Sequence, residues 1–125
     1  MKHFTIALCC LGAITIFCIT GTVASTRILD DILSELQSVP TNLDHIPAEA
    51  AEVSESILAM WEKKFFLISM LHPHHHLDEV KEEMTALQSY AKTQEYAEWA
   101  EAHANLKESL LHLRSLLEAN IDNIL

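Results

Sequence analysis

Glycine is nearly absent from this chain: in 125 residues only Gly12 and Gly21 occur, and beyond residue 24 there is none. Two-residue hairpin turns need positive φ at their centre, which glycine supplies at least cost, so a sheet of tight hairpins is improbable there and an all-helical fold is the default. Cysteine is missing from the same region. Cys9, Cys10 and Cys18 all precede Ala24, so no disulfide can brace the residues beyond it, even in an oxidising compartment. Positive charge is scarce too. After residue 24 the chain has 7 Lys and Arg against 18 Asp and Glu, a formal charge of −11. Such a surface repels nucleic acid and anionic headgroups and favours cations or basic partners.

Catalytic signatures are lacking in the same way. There is no glycine-rich phosphate loop, no His-Glu-x-x-His, no cysteine nucleophile after the N-terminal segment and no serine in a recognisable elbow. Glu52, Glu55, Glu82, Glu83, Glu98 and Glu101 mostly fall opposite the apolar positions, as on a solvated face. The expectation is a protein that is not an enzyme and needs no cofactor.

What is present begins with Phe4 to Ala24, 21 residues without charge or proline, entered by Lys2 and left at Arg27, Asp30 and Asp31. At about 1.5 Å per residue a helix of this length crosses a hydrocarbon core of about 30 Å. Two readings stand. The run is long for the h-region of a secretory signal, which favours an uncleaved anchor. Thr22-Val23-Ala24 or Val23-Ala24-Ser25 could instead serve as a cleavage site and release a secreted helical protein. Lys2 before the run and acidic residues after it place the N-terminus in the cytoplasm and the remainder outside. Neither Leu8-Cys9 nor Phe17-Cys18 has the small residues a lipoprotein acceptor requires, so the cysteines read as small apolar membrane residues.

Roughly 100 residues come after this run, enough for one modest core. Ile28, Leu29, Ile32, Leu33 and Leu36 form a stripe that continues the membrane helix outward as a stem over residues 26–38. Pro40, Asn42, Asp44 and Pro47 mark residues 39–47 as a linker, with Pro47 suited to the first turn of the next helix. The second helix, about Ala48 to Leu71, has a broad apolar face: Val53, Ile57, Met60, Leu67 and Leu71 form one row, with Trp61, Phe65 and Ile68 beside it. Two rows allow two neighbours, as in a bundle; the competing view makes Trp61 and Phe65 an exposed docking patch.

Pro73 ends that helix, and Leu77, Val80, Met84, Leu87 and Ala91 form the next seam. A further seam runs through Tyr96, Trp99, His103, Leu106, Leu110, Leu113, Leu117, Asn120 and Ile124. The two are out of phase by two residues, about 200° of rotation, so a turn falls at Lys92 to Gln94 with Thr93 as N-cap. Residues 1–25 are then an anchor or signal, and 48–125 an antiparallel three-helix bundle.

Two groups of residues carry functional expectations. His72, His74 and His76, in the run His72-Pro73-His74-His75-His76 before Asp78 and Glu79, offer imidazoles for zinc, nickel or copper, or for sensing pH. The plainer account is a polar junction at a helix N-terminus. The stem face, Ile28, Leu29, Ile32, Leu33 and Leu36, is the candidate surface for a protein partner, another membrane protein or a second copy. His103 and Asn120 on the last seam read as structural residues, and a buried neutral His103 would make the bundle acid-sensitive.

The layout as a whole resembles the bacterial family of domains of unknown function DUF4363. The resemblance rests on the N-terminal membrane segment, Met60-Trp61-Glu62-Lys63-Lys64, the junction from His72 into Leu77-Asp78-Glu79-Val80, the leucine-rich last helix and the end Asn123-Ile124-Leu125, and it covers nearly the whole chain. It implies a bacterial, membrane-associated, non-enzymatic protein and supplies no activity. The histidine run departs from the single His or acidic residue expected at that junction.

Overall fold

In the computed structural model, which describes residues 1–41 and 44–124 and the side chains there other than those at 120, 121 and 124, the chain forms four helices and, among the described residues, no strand. They are α1 (Lys2–Gln37), α2 (Ala50–Ser69), α3 (His74–Thr93) and α4 (Tyr96–Ile124). Among the described residues each packs closely against two others in the cyclic order α1, α2, α3, α4, and the backbones of the diagonal pairs stay apart. That is an up-down-up-down bundle with short connections.

α1 is one continuous helix of 36 residues. Its first part, Lys2 to Phe17, is exposed along its whole length, and the helix is apolar and long enough to cross a membrane. Its second part behaves differently. Leu29, Ile32, Leu33 and Leu36 are buried against α2 and α4. The expected bundle is present, with α3 packed between α2 and α4, and the stem joins it as a fourth member that closes the side between α2 and α4 instead of standing apart. The reason lies in α2 and α4, which both present a side toward α1 that the other two helices do not cover.

The core contains Ile57, Trp61 and Ile68 of α2, the five residues from Leu77 to Ala91 of α3, and Trp99, Leu106, Leu110, Leu113 and Leu117 of α4. The α3 seam and the α4 seam from Trp99 to Leu117 are therefore buried as their spacing predicts, with Tyr96 half-buried at the start of α4. In α2 the centre of the face runs through Ile57 and Trp61, while Val53, Met60, Phe65 and Leu67 flank it half-buried. Trp61 is core, not an exposed patch.

The α3–α4 turn differs from expectation. Thr93 is the last residue of α3 and caps nothing at the start of α4; Gln94 closes α3 in the left-handed region, at φ 59° and ψ 33°. Helices commonly end this way on glycine. With no glycine in this half of the chain, Gln94 takes the strained position, its Nε2 donating to the Ala91 carbonyl at 2.8 Å. The amide of Glu95 reaches back to Tyr90 at 3.1 Å, and the Glu95 carbonyl accepts from Trp99 at 2.8 Å to open α4.

The α1–α2 connection is held down by Val39, Ile46 and Pro47, all buried, and by the Tyr96 hydroxyl donating to the Thr41 carbonyl at 3.2 Å. Asn42 lies outside the described residues, as do the side chains of Asn120 and Ile124.

Candidate functional site

The chemistry-bearing residues gather at one end of the bundle, where α2 hands over to α3. Pro73 has extended backbone, φ −60° and ψ 136°, and sets α3 off in a new direction from His74. A proline cannot continue α2 and biases the preceding residue away from helix, so the histidine run falls on a corner.

That corner separates the three metal candidates. The His72 ring is buried and its Nε2 has no hydrogen-bond partner. Burial, and to a lesser degree the charge of His76, holds this imidazole below its ordinary value. His74 is exposed to solvent. His76 turns to other rings: its centroid is 3.8 Å from that of His75 and 5.8 Å from that of His112 on α4, the latter edge-on. Among the described residues no group of three His, Cys, Asp or Glu is placed to hold one metal ion. His72, His74 and His76 do not converge as a ligand set.

What the fold assembles instead is an open groove of about 750 Å³ between α3 and α4, lined by His76, Glu79, Glu83, Glu108, Ser109 and His112 among others. The Ser109 hydroxyl donates to Glu83 Oε1 at 3.0 Å, while Glu83 Oε2 is buried without a partner. Burial pushes the Glu83 carboxyl up, the Ser109 bond opposes it, and the neighbouring charges of Glu79 and Glu108 add to the rise. The groove is lined by carboxylates and imidazole rings, acceptor groups that suit a cationic group. Its serine proton is committed to Glu83.

His112 and Ser109 were not singled out from sequence, and Glu83, read there as part of a solvated face, is half-buried; yet a signal for one pair was there. His76 and His112 each lie 18 residues from Gln94. In an antiparallel hairpin, residues equidistant from the turn sit at the same level.

The stem stripe is placed clearly. Leu29, Ile32, Leu33 and Leu36 are closed off within the chain's own bundle and Ile28 is half-buried, so this face is not open to another protein. The opposite side of the stem is. Ser34 and Gln37 are exposed on a shallow groove between α1 and α4, together with Leu111 and the Asp30–Arg114 pair. Arg114 Nε donates to Asp30 at 2.7 Å and its Nη1 to Glu118 at 2.7 Å, and the Asp30 bond and charge hold the guanidinium above its already high value.

His103 is structural: its ring is buried on α4, and its Nε2–H donates to the Leu36 carbonyl at 2.8 Å. Burial lowers its basicity, the Leu36 bond works against that, and Lys107 adds to the lowering.

Compared with known proteins, residues 26–124 match one family model, described as "Domain of unknown function (DUF4363)". The match starts just after the apolar run and takes in the whole bundle from the stem onward. No curated protein and no solved structure matches the chain.

Proposed function

Because the chain belongs to the DUF4363 family of domains of unknown function, where no activity is on hand to transfer, we propose from the physical layout that it is a single-pass membrane protein. In this reading its four-helix domain is a non-enzymatic accessory module held outside the cytoplasm. The observation that carries the proposal is the contrast within α1. One unbroken helix is exposed and apolar over Lys2 to Phe17, then buried and core-forming from Leu29 to Leu36. Burying such a helix in lipid removes apolar area from water at roughly 25 cal/mol per Å², whereas leaving it in water gains nothing. Because no loop separates anchor from bundle, the domain is held rigidly at the membrane and not on a tether.

The charge pattern supports the orientation, with Lys2 on the cytoplasmic side and the acidic bundle on the other. The partner is another protein, a membrane protein or a second copy, met through the outward side of α1 around Ser34 and Gln37. A basic partner surface suits the charge of −11 beyond residue 24.

The test is the mass of the chain recovered from membrane and soluble fractions. Recovery of the intact chain in the membrane fraction is expected; loss of the first 24 or 25 residues would make the segment a signal and overturn the anchor. A reporter active only outside the cytoplasm, fused after Leu125, checks the orientation. Photocrosslinking from Ser34 and Gln37 in cells checks the partner, and an exclusively monomeric product would remove it.

A further inference from the structure

We propose that the bundle is seated on the bilayer by the last turn of α2, with Met70 and Phe66 in the headgroup layer of a lipid surface. The proposal rests on the anchored reading of α1 and adds a second point of contact to it. Outside α1, the large apolar side chains exposed among the described residues are Phe66 (78 %), Met70 (51 %) and Leu111 (45 %). Phe66 in the last turn of α2 and Met70, the residue that caps it, lie four residues apart on one face that points away from the core residues Trp61 and Ile68.

Their height in the molecule is set by a close approach. A Cβ placed on Gly21 would meet Leu71 Cδ1 at 3.5 Å and Leu67 Cδ1 at 3.9 Å. The last turn of α2 therefore packs on α1 at Gly21, the level at which α1 leaves the bundle and continues alone as an exposed apolar helix. The apolar surface of α1 is thus continuous in level with that of Met70.

Length brings this level to the lipid. Of the apolar run, Phe4 to Thr20 is the part outside the bundle, because Gly21 and Thr22 are already buried in it. Those 17 residues span about 26 Å, a few ångströms short of a hydrocarbon core of about 30 Å. A short span is accommodated by drawing its flanks inward or by local thinning of the bilayer. Either way Met70 comes to the hydrocarbon boundary, and Phe66, one turn higher by about 6 Å, stays within the headgroup layer. Lys63, exposed and three residues before Phe66 on the same face, is a cation within reach of lipid phosphate at the outer edge of the headgroup layer. A water-facing site on a soluble surface has no need of Phe66 and Met70 side by side; a lipid-facing one does.

Nitroxide accessibility on the full chain in phosphatidylcholine–phosphatidylglycerol vesicles tests this. Cys9, Cys10 and Cys18 are replaced by alanine, and single cysteines are introduced as Phe66→Cys, Met70→Cys, Glu55→Cys and Ile14→Cys. The first three sites are exposed on α2 or at its C-terminal cap and the fourth on the free part of α1, so none disturbs the core; helix content by circular dichroism verifies this. The expected result is a severalfold higher ratio of oxygen to water-soluble nickel accessibility at residues 66 and 70 than at 55, with 14 higher still. Lipid-like values at 14 with water-like values at 66 and 70 overturn the seating and leave the anchor standing. Water-like values at 14 overturn the anchor, and the seating with it. Spin–spin broadening at 66 and 70 would show that a second copy covers the face, which also overturns the lipid assignment.

Discussion

The Nε2–H of His103 on α4 donates to the main-chain carbonyl of Leu36 at 2.8 Å, across 67 positions of sequence and away from water. A carbonyl only accepts, so the neutral ring carries its proton on Nε2. The last carbonyls of a helix have no partner within it, and His103 supplies one for α1. A side chain of the final helix thus closes the end of the helix that carries the apolar run.

Removing that donor leaves the buried Leu36 carbonyl dependent on the long bond from the Val39 amide, 3.4 Å. His103→Ala is expected to lower stability by about 1–3 kcal/mol, and His103→Phe, which restores volume but not the donor, is expected to recover only part of the loss. Urea unfolding of the full chain in detergent micelles, followed by helix circular dichroism, measures both.

Acid should weaken the bundle. His72 and His103 are both held below the ordinary imidazole value of 6.5, chiefly by burial. The folded chain binds fewer protons at these sites than the unfolded one. Their stabilising contribution is therefore whole above the unfolded pKa of about 6.5 and declines as pH falls from there toward the lowered folded values. Glu83 acts in the opposite sense. Its carboxyl is raised above 4.5 by burial, so its contribution is present below the unfolded value and fades as pH rises through the folded one. Unfolding midpoints should fall between pH 7 and pH 5, fall further in Glu83→Gln, and fall less in His103→Phe. Equal midpoints at the two pH values in the native chain would contradict this.

The stem should behave as core. Ile32→Ala and Leu29→Ala are each expected to cost about 2–5 kcal/mol, in the range of Leu106→Ala, because all three side chains are wholly buried. Ser34→Ala and Gln37→Ala, on the exposed side of the same helix turns, should stay within about 0.5 kcal/mol. A stem projecting free of the bundle would show no difference between the two pairs.

Gly21 separates a permitted change from a forbidden one. Alanine would meet Leu71 and Leu67 at ordinary contact distances, so Gly21→Ala is expected to be neutral or to add about 0.5–1 kcal/mol through helix propensity. Gly21→Leu has no room there and should lift the end of α2, costing about 1–3 kcal/mol. Thermal unfolding of the three proteins side by side shows the reversal.

Equilibrium dialysis of the full chain against micromolar zinc, with and without a chelator wash, should retain no metal. Stoichiometric retention abolished by His76→Ala would show that the histidine corner gathers ligands after all.

How legible the molecule was depends on the distance over which each feature is decided. The two seams of the hairpin, Leu77 to Ala91 and Trp99 to Leu117, are recorded in spacings of three and four, because a helix returns to the same face at that interval. The break between them was legible as a phase shift, but its mechanism was not: Thr93 looks like a cap by type, and only the backbone places Gln94 in the left-handed region. The stem stripe was legible as apolar but not as to what covers it. A stripe reports that something must pack there, and an outside partner and the chain's own helices satisfy it equally well.

The sequence by itself determined that the chain is all-α, that one end is apolar enough for lipid, and that the rest is an acidic amphipathic bundle. These properties arise from composition and local periodicity, which act within a few turns of helix. Tertiary structure alone decided that the helix carrying the apolar run is also the fourth bundle helix, that His72 and His76 part at Pro73 while His76 meets His112, and that Gly21 admits the end of α2. Those outcomes depend on the height at which distant helices meet, set by packing all four apolar faces at once, and no single stretch of sequence contains that condition.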